Sequence, residues 1–254
     1  MNTKSLKILF ALFLAFSLLT GCDKDDDDNQ DNSPKDVSLK FYFNHRIGNA
    51  QLLFDSVAYQ NDFGNVYGVS TLKYFVSDFT LHKDDGSTYL IDEAHYVDGR
   101  DNATRTFTPS GKIPAGTYNS LTFVFGLTEE KNVDGTYPDP PENQMEWPPA
   151  MGHGYHYMKL EGKFEMNGGS YENFQAHTGA SMNNPYFIEV ELPMPLVVAA
   201  GDEKIVSLRM DINKWWSSPN ELDLNEVSGI MGNPAMQEKL KANGADVFSL
   251  ESIE

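Results

Sequence analysis

Between Met145 and Gly162 the chain reads MEWPPAMGHGYHYMKLEG, eighteen residues that hold one Trp, two His, three Met and two Tyr. Imidazole nitrogen and thioether sulfur are neutral, soft donors, so this density raises metal binding before other chemistry. The single Cys of the chain, Cys22, excludes an internal disulfide, and a metal site in the folded body has to use His, Met, carboxylate or main chain. Six His are present, at 45, 82, 95, 153, 156 and 177, and none forms an H-E-x-x-H or another close-spaced zinc pattern. His82 precedes a polar turn and His95 lies beside acids, so both read as surface residues. His45, His156 and His177 are the stronger candidates: the first two end or line apolar strand faces, and the third lies in Phe174-Gln175-Ala176-His177-Thr178-Gly179. Nucleophilic hydrolysis has little to work with, since no G-x-S-x-G occurs. Paired carboxylates for glycoside hydrolysis depend on a separation in space that spacing along the chain does not reveal. Asn132-Val133-Asp134-Gly135 alternates oxygen donors but lacks the rest of an EF-hand loop.

The elements that must position these residues read as strands. In Leu39 to His45 the apolar Leu39, Phe41 and Phe43 share one face with His45. Leu72 to Leu81 and Thr88 to Ile91 flank Asp85-Gly86, which predicts a hairpin. A turn at Ile113 to Tyr118 leads into a strand from Tyr118 to Leu127. Lys131 to Pro149 is a proline-rich loop, too long to be a passive connector. From Gly154 to Phe164 the alternation returns, with His156, Met158 and Leu160 on the apolar side and Tyr155, Tyr157, Lys159 and Glu161 on the polar side. Further strands are expected at 186–192 and 204–213. Only 234–244 reads as helix, with Pro234 early and Asn243-Gly244 at the stop. Many short strands without βαβ alternation predict an all-β, antiparallel β-sandwich with a short C-terminal helix, spanning 37–254 as one domain.

The first 21 residues, with Lys4 and Lys7 before an apolar run, have the layout of a secretory signal peptide. Leu19-Thr20-Gly21-Cys22 resembles a bacterial lipobox, which makes Cys22 the expected lipidation site and a lipid anchor the expected link to a membrane. Residues 22–36 are acidic and lack apolar side chains, a disordered tether similar to the export tags of Bacteroidota surface lipoproteins. The expected location is therefore the outer membrane, surface-exposed, with a periplasm-facing orientation as the alternative. Removing residues 1–21 takes Lys4 and Lys7 from 19 basic side chains, leaving 17 against 37 acidic ones, formally −20. Nucleic acid is an unsuitable partner for such a chain, because binding it depends on neutralising phosphates.

The ordered set of His45, Leu72-Lys73-Tyr74-Phe75-Val76-Ser77, Ile113-Pro114-Ala115-Gly116-Thr117-Tyr118, Phe125-Gly126, Met145-Glu146-Trp147, Gly154-Tyr155-His156-Tyr157-Met158-Lys159-Leu160-Glu161-Gly162 and His177-Thr178-Gly179 resembles the MbnP-like copper-binding protein family, from about Ser38 to the C-terminus. The resemblance implies a β-sandwich that binds copper without Cys, as a scavenger or carrier rather than an enzyme. It implies imidazole ligands at His45 and His177, and a Trp147 oxidised to kynurenine by a di-haem partner of the cytochrome c peroxidase type. His156 and Met158 become candidates for a further ligand or an orienting residue. The competing expectation is a glycan-binding or nutrient-uptake surface lipoprotein using Trp147, Trp215, Trp216 and tyrosines as stacking platforms, one of the adjacent tryptophans being core and the other part-exposed.

Overall fold

A computed structural model describes residues 37–166, 169–182 and 184–254. The signal-peptide, Cys22 and tether expectations lie outside the described residues. In chain order the strands are β1 (Ser38–Ile47), β2 (Ala50–Gln51), β3 (Tyr59–Gln60), β4 (Val66–Lys83), β5 (Thr88–Asp98), β6 (Thr106–Phe107), β7 (Gly116–Phe125), β8 (His156–Glu165), β9 (Tyr171–Gly179), β10 (Ile188–Val198), β11 (Glu203–Asp211) and β12 (Phe248–Ile253), with one helix, α1 (Pro234–Gly244). They form two sheets. The first runs β12-β11-β1-β2 with β6 also on β1; the second runs β10-β7-β4-β8-β9, with β3 and β5 also on β4. All the pairings are antiparallel except β1 with β11, which run parallel. The expected all-β sandwich with a short helix near the C-terminus is what the chain forms.

The sheets face each other through residues that alternation selects. In β1 every second residue is buried, Leu39, Phe41, Phe43, His45 and Ile47. Phe41 meets Phe79 of β4 at 4.9 Å between ring centres, Phe43 meets Tyr74 edge-on at 6.1 Å, and Phe248 meets Phe123 of β7 at 5.1 Å. Each such ring contributes about 2–3 kcal/mol by leaving water. β10 alternates as cleanly and holds Pro193 and Pro195 at exposed positions. It ends its sheet, where a strand tolerates residues without N–H.

A second apolar cluster lies on the opposite face of the larger sheet. Phe75, one residue on from inward-facing Tyr74, packs there with Tyr96, Leu127, Met145, Tyr155 and Tyr157. The long loop after β7 folds across that face: the Tyr137 ring stacks on Phe75 at 5.2 Å, and its N–H donates to Oη of Tyr155 at 2.8 Å. Tyr155 and Tyr157, expected on a polar side, are therefore fully buried under this loop.

The expected hairpin is present, with Gly86 at φ 83° and Asp85 accepting from the Ser87 N–H at 2.8 Å. α1 falls on the expected residues; the Asn233 side chain caps it by accepting from Met236 N–H, and Pro234 opens it. Five strands were not expected, the longer β9 and β12 and the two-residue β2, β3 and β6. Trp215 and Trp216 are both fully buried, because a 3-10 turn over Ile212–Trp216 carries them under α1 and β4 instead of continuing β11. Among the described residues no helix is long and apolar enough to cross a membrane.

Candidate metal centre

The outer face of the larger sheet is where Trp147, His156 and His177 meet. β8 and β9 pair so that Lys159 faces His177 and Glu161 faces Gln175. Directly paired residues share a face, so His177 stands on the outer side with Lys159 and Glu161. Its Nε2 lies 2.7 Å from Oε1 of Glu161. That hydrogen bond holds the Glu161 carboxyl below the usual carboxylate range. An ionised carboxylate only accepts, so Nε2 carries the hydrogen of that bond and Nδ1 is the nitrogen left to ligate.

His156 reaches the same face through a break in register. Pairing between β8 and β9 shifts between His156 and Met158, an extra residue that re-aims the side chain. The His156 ring stands 5.1 Å from that of His177, nearly perpendicular, and 4.6 Å from Trp147. Its Nδ1 donates to the Met145 carbonyl at 2.9 Å, leaving the lone pair on Nε2. Burial, with the Lys159 ammonium nearby, pushes its pKa down to about 3, so the ring is neutral near pH 7. Each imidazole thus has one nitrogen fixed by a carbonyl or carboxylate and one free to ligate, the usual arrangement around metal-bound His.

Trp147 closes the cluster from the loop. Its backbone N–H donates to the Gly154 carbonyl at 2.8 Å, and Glu146 bridges to Tyr155. The ring is 2% exposed, and two glycines make room for it. A Cβ at Gly179 would come 2.6 Å from Cε3 and Cζ3, and one at Gly152 would come 3.1 Å from Cδ1 and Nε1. The indole Nε1 is buried with no hydrogen-bond partner among the described residues. Such an orphan costs about 1–3 kcal/mol.

His45 and Met158 lie elsewhere, which corrects the expectation that His45 and His177 converge on Trp147. His45 alternates inward on β1, and its Nε2 lies 3.0 Å from Oη of Tyr74, between the sheets. Met158 pairs with Tyr74 across β4 and β8 and packs in the same core. The larger sheet therefore stands between them and His177. Burial, then the Arg105 guanidinium, pushes the His45 pKa down to about 3, and its Nδ1 has no hydrogen-bond partner among the described residues. His156 and Met158 do not share a face, because the register shift separates them. His95 is half-buried, stacked on Phe107 at 4.9 Å, against the surface expected for it. His82 bonds Thr122 at 3.0 Å. The oxygen donors of Asn132 and Asp134 are taken by the N–H groups of Tyr155 and Gly154, so this loop caps the start of β8. Glu161 was not foreseen; only the pairing of β8 with β9, which no local pattern encodes, brings it to His177. Among the described residues, no three His, Cys or acidic side chains stand together in a metal-holding group.

Fold and site together define an all-β sandwich that carries a tautomer-fixed histidine pair beside a buried tryptophan on the outer face of one sheet. The family model for MbnP matches residues 36–232, and the chain belongs to the MbnP family. Among solved structures it is similar to MbnP from Methylosinus trichosporium, at 14% identity and a TM-score of 0.55, over 85% of this chain and 97% of that one. At that identity the likeness shows the fold alone. No curated protein matches the chain.

Proposed function

We propose that this protein binds copper through His156 and His177, beside Trp147, as a carrier or scavenger and not as an enzyme. The observation that carries the reading is the pair of imidazoles with one nitrogen of each fixed and the other left free, in a chain of the MbnP family. The fit is geometric as well as chemical. Two imidazoles on one ion, at about 2 Å per metal–nitrogen bond, have ring centres at most about 6.5 Å apart, and 5.1 Å lies within that reach. Imidazole suits copper far better than calcium or magnesium.

The third donor in this reading derives from Trp147. Indole offers no ligating lone pair, whereas kynurenine carries an aromatic amine and a ketone. A donor there would also answer the orphaned Nε1. A di-haem partner of the cytochrome c peroxidase type is the proposed oxidant. The reading further includes lipidation at Cys22 and attachment to the outer membrane, surface-exposed or facing the periplasm. The competing glycan reading loses its tryptophan platforms, since Trp147, Trp215 and Trp216 are all buried.

Copper titration tests the ligand pair. Wild type is expected to take up one tight equivalent and the His156→Ala/His177→Ala variant to lose it; equal tight binding by both would remove the assignment. Mass spectrometry of the Trp147 peptide from the native host tests the oxidation, with one oxygen gained and one carbon lost as the expected change and an intact tryptophan as the contrary one.

A further inference from the structure

Away from the metal centre, arginine side chains collect at a gap along the edge of β1. That strand pairs with β6 at Phe41 and Tyr42 and with β2 at Arg46 and Ile47, which leaves Phe43 to His45 between two short partners. A cavity of about 470 Å³ opens there, within the size range of small-molecule sites. Its described lining includes Arg100 and Arg105 and no acidic residue, in a chain whose formal charge is −18. His45, at the same cavity, is neutral near pH 7 for the reasons given above, so the positive charge here is that of the arginines. Leu52 and Phe54 add apolar lining, and the Asn44 and Gln51 amides add polar lining.

Each guanidinium is held over an aromatic ring. Arg105 lies over Tyr42, 4.8 Å from the ring centre. It donates from Nε to the Phe43 carbonyl at 3.0 Å, from Nη1 to Oδ1 of Asn102 at 3.0 Å and from Nη2 to Oδ1 of Asn44 at 2.9 Å. All of these acceptors are neutral, so among the described residues no carboxylate balances its charge, and part of its N–H fork stays unspent. Arg100 lies over Phe54 at 4.4 Å. Its Nε and Nη2 donate to the Ser70 carbonyl, and Nη2 also to Asp55 at 2.6 Å, which leaves Nη1. The Asp55 carboxylate is largely exposed, so water screens its hold on Arg100. Gly99 admits this arrangement, since a Cβ there would come 2.9 Å from Cζ of Phe54. Guanidinium groups fixed in this way, with N–H groups to spare, are preorganised for an incoming oxyanion.

We propose that this cavity binds a small organic acid with more than one carboxylate, gripped by Arg105 and Arg100. A planar guanidinium fork matches a carboxylate through two parallel N–H···O bonds, and two such forks on one cavity match two such groups. The carbon skeleton of the acid has Leu52 and Phe54 to lie against, and its hydroxyl groups have Asn44 and Gln51. Arg105, the cation without an acid partner, contributes the larger share of the affinity. The site owes nothing to copper, so failure of the histidine-pair reading leaves it standing.

Calorimetric titration of the metal-free protein with citrate, succinate and inorganic phosphate, at constant ionic strength, tests the site. Citrate or succinate is expected to bind saturably and in equimolar amount, and phosphate more weakly. Arg105→Lys, which keeps the charge and loses the fork, and Arg100→Gln are each expected to weaken binding about tenfold, with near-ultraviolet dichroism unchanged. Lys239→Gln, at an exposed position of α1, is expected to leave binding unchanged. Absence of saturable binding by both acids overturns the site. Phosphate binding as tightly as the acids overturns the carboxylate assignment, and equal weakening by Lys239→Gln overturns the role of the cavity. Should Arg105→Lys fail to fold, Arg100→Gln, at a surface-exposed side chain, carries the test, and an unchanged affinity there overturns the proposal.

Discussion

At the scale of single residues, the centre is an arrangement of neighbours that fix one another. Glu161 sets the tautomer of His177, the Met145 carbonyl sets that of His156, and two glycines admit the Trp147 ring. Glu161→Gln keeps the size but can turn its amide N–H toward the ring; a loss of copper affinity of about 10- to 100-fold is expected from such outer partners, and an unchanged affinity would show that Glu161 does not orient His177. Gly179→Ala places a methyl group in Trp147 and is expected to cost about 1–3 kcal/mol in chemical denaturation. Combined with Trp147→Ala, its cost is expected to shrink, because the two share one contact. Full additivity would mean that the glycine is there for another reason. What could be read from the chain at this scale was residue type: Trp147, His156 and His177 were all among the candidates. Their grouping was not readable, since His45 looks the equal of His156 until β1 turns its side chain into the core.

At the scale of elements, alternation and turn chemistry carry most of the fold. β1, the hairpin of β4 with β5, and α1 follow from local pattern. β9 does not, because Tyr171-Glu172-Asn173-Phe174 presents three exposed residues and then a run buried on both faces, Ala176 to Gly179, which resembles neither a two-faced strand nor a core strand. The register shift in β8 is equally silent in sequence, and it is what sends His156 to one face and Met158 to the other. α1 holds the end of β9 in place. The Gln237 amide, fully buried, donates to the carbonyls of His177 at 3.0 Å and Ile230 at 3.2 Å. Gln237→Leu strands both carbonyls and is expected to lower stability by about 1–3 kcal/mol, with copper release accelerated as His177 loosens. Unchanged release kinetics would detach the helix from the site.

At the scale of the whole domain, buried neutral imidazoles tie stability to pH. His45, His95 and His156 all have pKa values lowered chiefly by burial, to about 3 for His45 and His156. Below pH 6.5 the unfolded chain takes up protons that the folded one refuses, so stability falls as pH falls toward 3. By pH 5 the expected loss from His45 alone is about 2 kcal/mol. In denaturant titrations between pH 7 and 5, His45→Leu is expected to show a shallower decline than wild type; parallel curves would mean that His45 is not held neutral. That role also separates His45, a residue of the core, from the pair proposed to hold metal. The most direct test of that division is a crystal structure of the copper-loaded protein with an anomalous map at the copper edge. The expected peak lies between His156 and His177, within bonding distance of both and beside Trp147. A peak at His45, between the two sheets, would contradict the account.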